Sequence, residues 1–121
     1  MNYSALISAL TIVESGGRAD AVGDNGKAFG ILQIWDVVVK DVNKANGTSY
    51  THKDAFNPTK AQQICRYYLR LYATKARIGD MDPYEAAARI WNGGPNGHRK
   101  AATLAYWARV KKALKLSPTQ P

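Results

Sequence analysis

Tyr3-Ser4-Ala5-Leu6-Ile7-Ser8-Ala9-Leu10-Thr11-Ile12-Val13-Glu14-Ser15-Gly16-Gly17 is the stretch that decides the fold. Tyr3, Leu6, Ile7, Leu10 and Val13 recur at helical spacing, which predicts a first helix over about residues 3–15. Gly16-Gly17 stops it, because glycine readily takes the left-handed conformation found at helix ends. Glu14 lies four residues after Leu10 and seven after Ile7. That sets it on the flank of the buried face rather than opposite it. A carboxyl group there, with apolar residues before it and a chain break after it, is an unusual feature for a helix that only packs. Taken alone, it also reads as an exposed last-turn glutamate, mildly unfavourable against the helix dipole.

Outward from this helix the chain alternates helices with glycine-marked breaks. Asp24-Asn25-Gly26 is a strong turn signal, and a short hairpin or irregular loop is expected around it. Ile31-Leu32-Gln33-Ile34-Trp35 then re-enters the core. A second helix is expected from Trp35 or Asp36 to Ala45, with Asp36 as its cap and Gly47 as its stop. Asn57-Pro58 reads as a cap followed by proline at the first helical position, opening a long helix to about Arg77. Ala61, Ile64, Cys65, Tyr68, Leu69 and Tyr72 form its buried stripe. Asp82-Pro83-Tyr84-Glu85 has the pattern of a capping box and starts a helix that ends at Asn92-Gly93-Gly94-Pro95. A last helix is expected from about Ala101 to Leu114. Residues 116–121 are expected to be a flexible tail. The fold class is therefore mainly α, about five helices with a small β element between the first two. There are no repeats and no linker, so residues 1–121 form one domain.

Hydrophobic residues make up 45% of the 121, enough to build a core and to exclude disorder. The net charge of +8 calls for an anionic partner, and its sign alone does not choose between nucleic acid, membrane surface and acidic polymer. With a single cysteine, Cys65, no internal disulfide forms. On an apolar helical stripe it reads as a small buried hydrophobe. Neither His52 nor His98 is placed beside it by the sequence, so no catalytic thiol is expected. Ala5–Val13 imitates a signal-peptide core but lacks a basic segment before it and a small-residue cleavage site after it. No run approaches the ~18 apolar residues of a membrane span. Neither export signal nor membrane anchor is expected, and no cofactor or metal set is suggested.

Three further segments follow Glu14-Ser15-Gly16 in order: Gly30-Ile31-Leu32-Gln33-Ile34, then Ala88-Arg89-Ile90-Trp91-Asn92-Gly93-Gly94-Pro95-Asn96-Gly97, then Thr103-Leu104-Ala105-Tyr106-Trp107. Each is weak alone. Their order and spacing together resemble the lysozyme superfamily, most closely the invertebrate-type lysozymes and more widely the soluble lytic transglycosylases and goose-type lysozymes. The resemblance spans about Ala5 to Lys112 and implies a lysozyme-like α+β fold and cleavage of bacterial cell-wall glycan. It breaks at the cysteines. Invertebrate-type lysozymes are secreted and cysteine-rich, and where their pattern places a cysteine after Asn-Gly-Gly-Pro-Asn-Gly this chain has His98. That suggests a bacterial or phage version folded in a reducing cytoplasm.

Glycosidic cleavage needs a protonated carboxyl to donate to the leaving oxygen, and burial supplies the raised pKa that keeps it protonated. The resemblance assigns that role to Glu14. It offers Asp24, followed by Gly26 and then Gln33, as the second carboxylate, a nucleophile or cation stabiliser. Asp-Asn-Gly is also simply a turn, and Asp20 is a nearby rival. Lytic transglycosylases use one glutamate as acid and then base and need no such aspartate. Gln33 has an amide that both donates to and accepts from sugar hydroxyl and acetamido groups. Asn92, Gly93 and Gly94 suit close backbone approach to an N-acetyl group and also form a helix stop. Ser15 supports the active-site turn in the family pattern. Tyr106 reaches toward Glu14 or serves as core, while Trp35 and Trp91 offer faces for sugar stacking but read rather as core aromatics.

The expected function is that of a muramidase hydrolysing the β-1,4 bond between MurNAc and GlcNAc of peptidoglycan. The alternative is a lytic transglycosylase leaving 1,6-anhydro ends, and beyond it a non-catalytic glycan-binding module on the same fold. The expected partners are peptidoglycan strands, with chitin oligosaccharides as a further candidate. The basic residues are spread along the chain, so no specific nucleic-acid partner is expected. A monomer is expected, made in the cytoplasm and acting on the wall, for instance as a phage endolysin or virion-associated lysin.

Overall fold

The computed structural model describes residues 1–116. Of the expected tail, 117–121 lie outside the described residues. Six α-helices and one small hairpin build the fold. They are α1 (Tyr3–Ser15), β1 (Val22–Gly23), β2 (Ala28–Phe29), α2 (Asp36–Asn46), α3 (Pro58–Tyr72), α4 (Lys75–Ile78), α5 (Pro83–Gly93) and α6 (Leu104–Leu116), with 3-10 turns at His52–Phe56, Gly97–Arg99 and Ala101–Thr103. No helix among the described residues is long and apolar enough to cross a membrane.

The termini of α1 follow from its sequence. Asn2 Oδ1 accepts from the Ala5 N–H at 3.0 Å. At the other end Gly16 turns left-handed, with φ 68°, and its N–H returns to the Thr11 and Ile12 carbonyls. Asn57 caps α3 by accepting from the Lys60 N–H at 3.0 Å, with Pro58 at the first position. The buried stripe of α3 is Ala61, Ile64, Cys65, Tyr68 and Leu69. One core joins the five longer helices, and the short α4 packs Ile78 against it. Within it α1 packs on α6, α2 and α5 pack on α3, and α5 packs on α6.

Five expectations are corrected. The long third helix stops at Tyr72, and α4 restarts at Thr74, whose hydroxyl takes the Arg77 N–H. A threonine side chain here competes with the helical ladder for a backbone donor. The last helix begins at Leu104, because the Thr103 hydroxyl is held 2.7 Å from the Gly97 carbonyl and keeps residues 101–103 in a tighter turn. Asp36 does not cap α2. It is the first helical residue and pairs with Lys40 at 2.9 Å, one turn on. The box at Asp82 is incomplete, since Asp82 accepts from the Tyr84 N–H while Glu85 turns to Arg89 instead. Trp35 is not core: it is 39% exposed.

The hairpin sits between α1 and α2, with Val22 paired to Phe29 and Gly23 to Ala28. Its turn holds Asp24 (φ 50°), Asn25 (φ 57°) and Gly26 (φ 86°) in the left-handed region. Asn, Asp and Gly are the residues that tolerate this conformation. The chain then folds back so that Phe29 and Ile34 bridge. Gly30 lies so close to the Ala55 carbonyl that any Cβ would collide with it.

Candidate active site

Glu14, Asp24, Gln33, Trp35, Val38, Trp91 and Asn92 line one cleft of about 100 Å³. Four elements meet there: the end of α1, the hairpin with its return, the start of α2 and the end of α5. Residues 78 positions apart (Glu14 and Asn92) thus face the same small space.

Glu14 is half-buried on the flank of α1. Its Oε2 accepts a hydrogen bond from the Tyr106 hydroxyl at 2.9 Å. Burial pushes its pKa from 4.5 up to about 7. The Tyr106 hydroxyl opposes that rise, the negative Asp24 adds to it, and Arg109 and the Trp91 indole oppose it. The first effect wins because a carboxylate taken out of water loses more solvation than one neutral hydroxyl restores. Tyr106 is itself buried on α6, and burial beside Glu14 raises its phenol well above the usual value, so it stays a donor. Arg109, one turn on, lies 5.8 Å from the Tyr106 ring and extends the influence of α6 on the site.

Asp24 is exposed on the hairpin turn and accepts from the Trp35 indole N–H at 3.1 Å. The indole is fixed from the other side by Lys27, whose Nζ is 5.5 Å from the ring. Gln33 is held in the left-handed region with φ 52°. Its amide donates to the Gly30 carbonyl at 3.0 Å and more distantly to that of Ala21 at 3.4 Å. Its Oε1 rests where a side chain at residue 23 would be, so a larger residue there would displace the Gln33 amide. Asn92 projects, exposed, from the last turn of α5.

Four expected binding residues stand outside the cleft lining: Tyr106, buried behind Glu14, and Ser15, Gly93 and Gly94. The Ser15 hydroxyl donates to the Ile31 carbonyl at 2.8 Å and accepts from the Gly17 and Arg18 N–H groups at 3.0 and 3.2 Å. It braces the turn and does not line the cleft. The Gly93 carbonyl is taken by Lys100 Nζ at 2.7 Å, and its Cα faces the Thr103 methyl. Gly94, at φ 87°, ends α5 with its N–H on the Ile90 carbonyl. These two glycines allow close packing and a helix stop rather than forming the cleft wall. Asp20 is exposed and outside the cleft. Trp91 is both core and wall, packed edge-on against Tyr68 at 5.6 Å. Cys65 is fully buried, and burial pushes its thiol up, so it is an inert packing residue.

One cleft residue was read mainly as core, and one buried charge escaped the sequence. The indole of Trp35 sits in an apolar run and looked internal. Arg89 sits among alanines, yet it is buried and bonds Glu85 (2.6 Å), the Thr103 hydroxyl (2.8 Å) and the Lys100 carbonyl (2.9 Å). A guanidinium on the apolar face of a predicted helix, four residues after a glutamate, was the available signal.

Comparison with known proteins agrees with this geometry. The chain is 34% identical over 109 residues to a lysozyme from Magallana gigas, covering 88% of this chain and 77% of that protein. Its fold matches, with a TM-score of 0.75 and 27% identity, a chain in the crystal structure of Aeromonas hydrophila PliI in complex with Meretrix lusoria lysozyme. That match covers 89% of this chain and 87% of the other. The family model of the Transglycosylase SLT domain matches residues 1–114. With its buried glutamate, small hairpin and helical core, the chain therefore belongs to the Transglycosylase SLT domain family, lysozyme-like enzymes acting on glycan.

Proposed function

We propose that this protein is a muramidase that hydrolyses the β-1,4 bond between MurNAc and GlcNAc in peptidoglycan. The observation that carries this reading is a glutamate with a pKa of about 7 facing a cleft it shares with a second, exposed carboxylate. Near neutral pH a useful fraction of Glu14 is protonated and can donate to the leaving oxygen as the bond breaks. Tyr106 holds Oε2, which leaves Oε1 as the donor to substrate. Asp24, anchored by the Trp35 indole, supplies negative charge opposite the developing oxocarbenium ion or attacks it. The indole face and the Asn92 amide offer a stacking surface and hydrogen bonds to the sugars. With Asp24 spent on the cation, Glu14 then activates water for the second step.

One observation favours a lytic transglycosylase instead. Asp24 already gives one oxygen to an indole on an exposed turn, while Glu14 has the raised pKa needed to act as acid and then base. The sugar's own 6-hydroxyl would then attack, leaving 1,6-anhydro ends. The basic surface suits an anionic wall, and the buried Cys65 suits folding in a reducing cytoplasm before delivery, as for a phage lysin acting as a monomer.

Digestion of purified peptidoglycan by the protein and its Glu14→Gln variant, with the new ends read by mass spectrometry, tests all of this. Reducing muramic ends that disappear in the variant are the expected result. Anhydro ends would move the protein to the transglycosylases. Cleavage that does not depend on Glu14, or none at all, would overturn the enzymatic reading on this substrate.

A further inference from the structure

We propose that the outer face of α3 is a second, non-catalytic site that binds anionic glycan. It rests on the wall-glycan reading above only for the identity of its ligand. Gln63, Arg66, Tyr67 and Arg70 recur at helical spacing on the side of α3 away from its buried stripe. Tyr50 closes one flank: its hydroxyl bonds Gln63 Oε1 at 2.7 Å and its ring centroid lies 6.4 Å from that of Tyr67. These five residues line a hollow of about 260 Å³ that shares no residue with the catalytic cleft. Tyr3 lies beside the two arginines, with the Arg66 and Arg70 guanidiniums 5.7 and 6.0 Å from its ring.

The charge pattern is what points to a ligand. Arg66 and Arg70 are one turn apart, an arrangement that repels on an isolated helix. Among the described residues neither forms an ion pair. The only side-chain hydrogen bond of Arg66 among the described residues is a long one to Ser4 Oγ, 3.4 Å. Proximity to the Tyr3 ring draws both guanidiniums to one place without neutralising either. Two neighbouring guanidinium forks without ion-pair partners among the described residues can donate to carboxylate or phosphate oxygens in bidentate fashion. Beside them Tyr50 and Tyr67 offer amphipathic rings suited to the apolar face of a sugar. Sugar faces and anionic groups occur together in anionic glycan, whether the charge comes from stem-peptide carboxylates or from phosphodiester polymers of the wall.

Co-sedimentation of the full chain with purified sacculi tests the site, with Glu14→Gln in every protein so that the wall stays intact. Arg66→Gln/Arg70→Gln is expected to weaken binding roughly tenfold and to flatten its salt dependence. Lys111→Gln/Lys112→Gln, which removes the same charge from α6, is expected to do much less. If the double arginine variant does not fold, Tyr67→Ala takes its place with a comparable loss expected. Binding that survives removal of phosphodiester polymers assigns the anion to carboxylates; binding lost with them assigns it to phosphate. Equal weakening by both double variants would reduce the site to bulk charge and overturn it. So would tighter binding of a single-stranded oligonucleotide than of sacculi through the same arginines. In the Glu14 enzyme, Arg66→Gln/Arg70→Gln is expected to leave cleavage of neutral, soluble GlcNAc oligosaccharides unchanged. Arginine-dependent wall binding without any Glu14-dependent cleavage would sink the proposed enzyme and leave this site standing.

Discussion

At the scale of single residues, Glu14 ties activity to stability. Its neighbours push its titration in opposite directions, so variants should move the alkaline limb of activity oppositely. Tyr106→Phe removes a donor that favours the carboxylate, so the limb near pH 7 should move to higher pH. Asp24→Asn removes a charge that favours the protonated acid, so the limb should move to lower pH. Rate profiles of kcat/KM against pH decide this, and a shared direction for the two variants would contradict the site described. The stability consequence has a definite sign. A pKa raised from 4.5 to about 7 stabilises the fold below 4.5, and that contribution is lost as pH rises through 7. Glu14→Gln keeps the shape without the charge. It should abolish activity by at least about a thousandfold. It should also be more stable than the parent at pH 8 by about 2 to 3 kcal/mol, and no more stable at pH 4, in denaturant titrations.

At the scale of elements, the site depends on how α5 is held. The buried Arg89 clamps α5 to the turns at residues 97–103, and Asn92 projects one turn beyond it. Glu85→Gln leaves the guanidinium buried without its counter-charge and should cost about 3 kcal/mol. Gly97→Ala attacks the same joint sterically, since a Cβ there would meet the Arg89 carbonyl and lie 3.0 Å from the Ile90 Cα. It should destabilise by about 2 kcal/mol and lower activity by shifting Asn92, measured as a raised KM with a normal Glu14 pH limb. The helices themselves were legible in the sequence, because periodicity, Asn57-Pro58 and Gly16 are local signals. The restart at Thr74 and the tight turn at Ala101–Thr103 were not, since each depends on where one threonine hydroxyl finds a partner. Glu14, Asp24, Gln33, Asn92 and Tyr106 were legible as a group only through ordered motifs. Their meeting in one place is set by long-range packing. The exposure of Trp35 follows from the hairpin beside it, which no periodicity encodes.

At the scale of the whole molecule, the half-buried Glu14 and the buried His98 oppose each other in pH. His98 is 5% exposed, and among the described residues neither ring nitrogen has a partner within hydrogen-bonding geometry. Burial holds its pKa below 6.5. The nearby Arg77 backbone favours the charged ring slightly, while the Arg99, Arg77 and Arg89 charges disfavour it. A lowered folded-state value means that stability is intact above 6.5 and falls as pH drops through the folded pKa. Glu14 acts with the opposite slope over 4.5 to 7, so the two partly cancel in mildly acidic solution. Removing either should expose the other. Glu14→Gln should give a curve that only rises with pH in this range. His98→Leu fills the same space without polar atoms, so it should add about 1 kcal/mol at pH 8 and more at pH 5. Its remaining dependence should fall with rising pH. Denaturant midpoints measured from pH 4 to 8 on the parent and both variants decide it. A His98→Leu curve that still loses stability toward acid would show that another group carries the acid sensitivity, and the buried histidine would then be a packing residue alone.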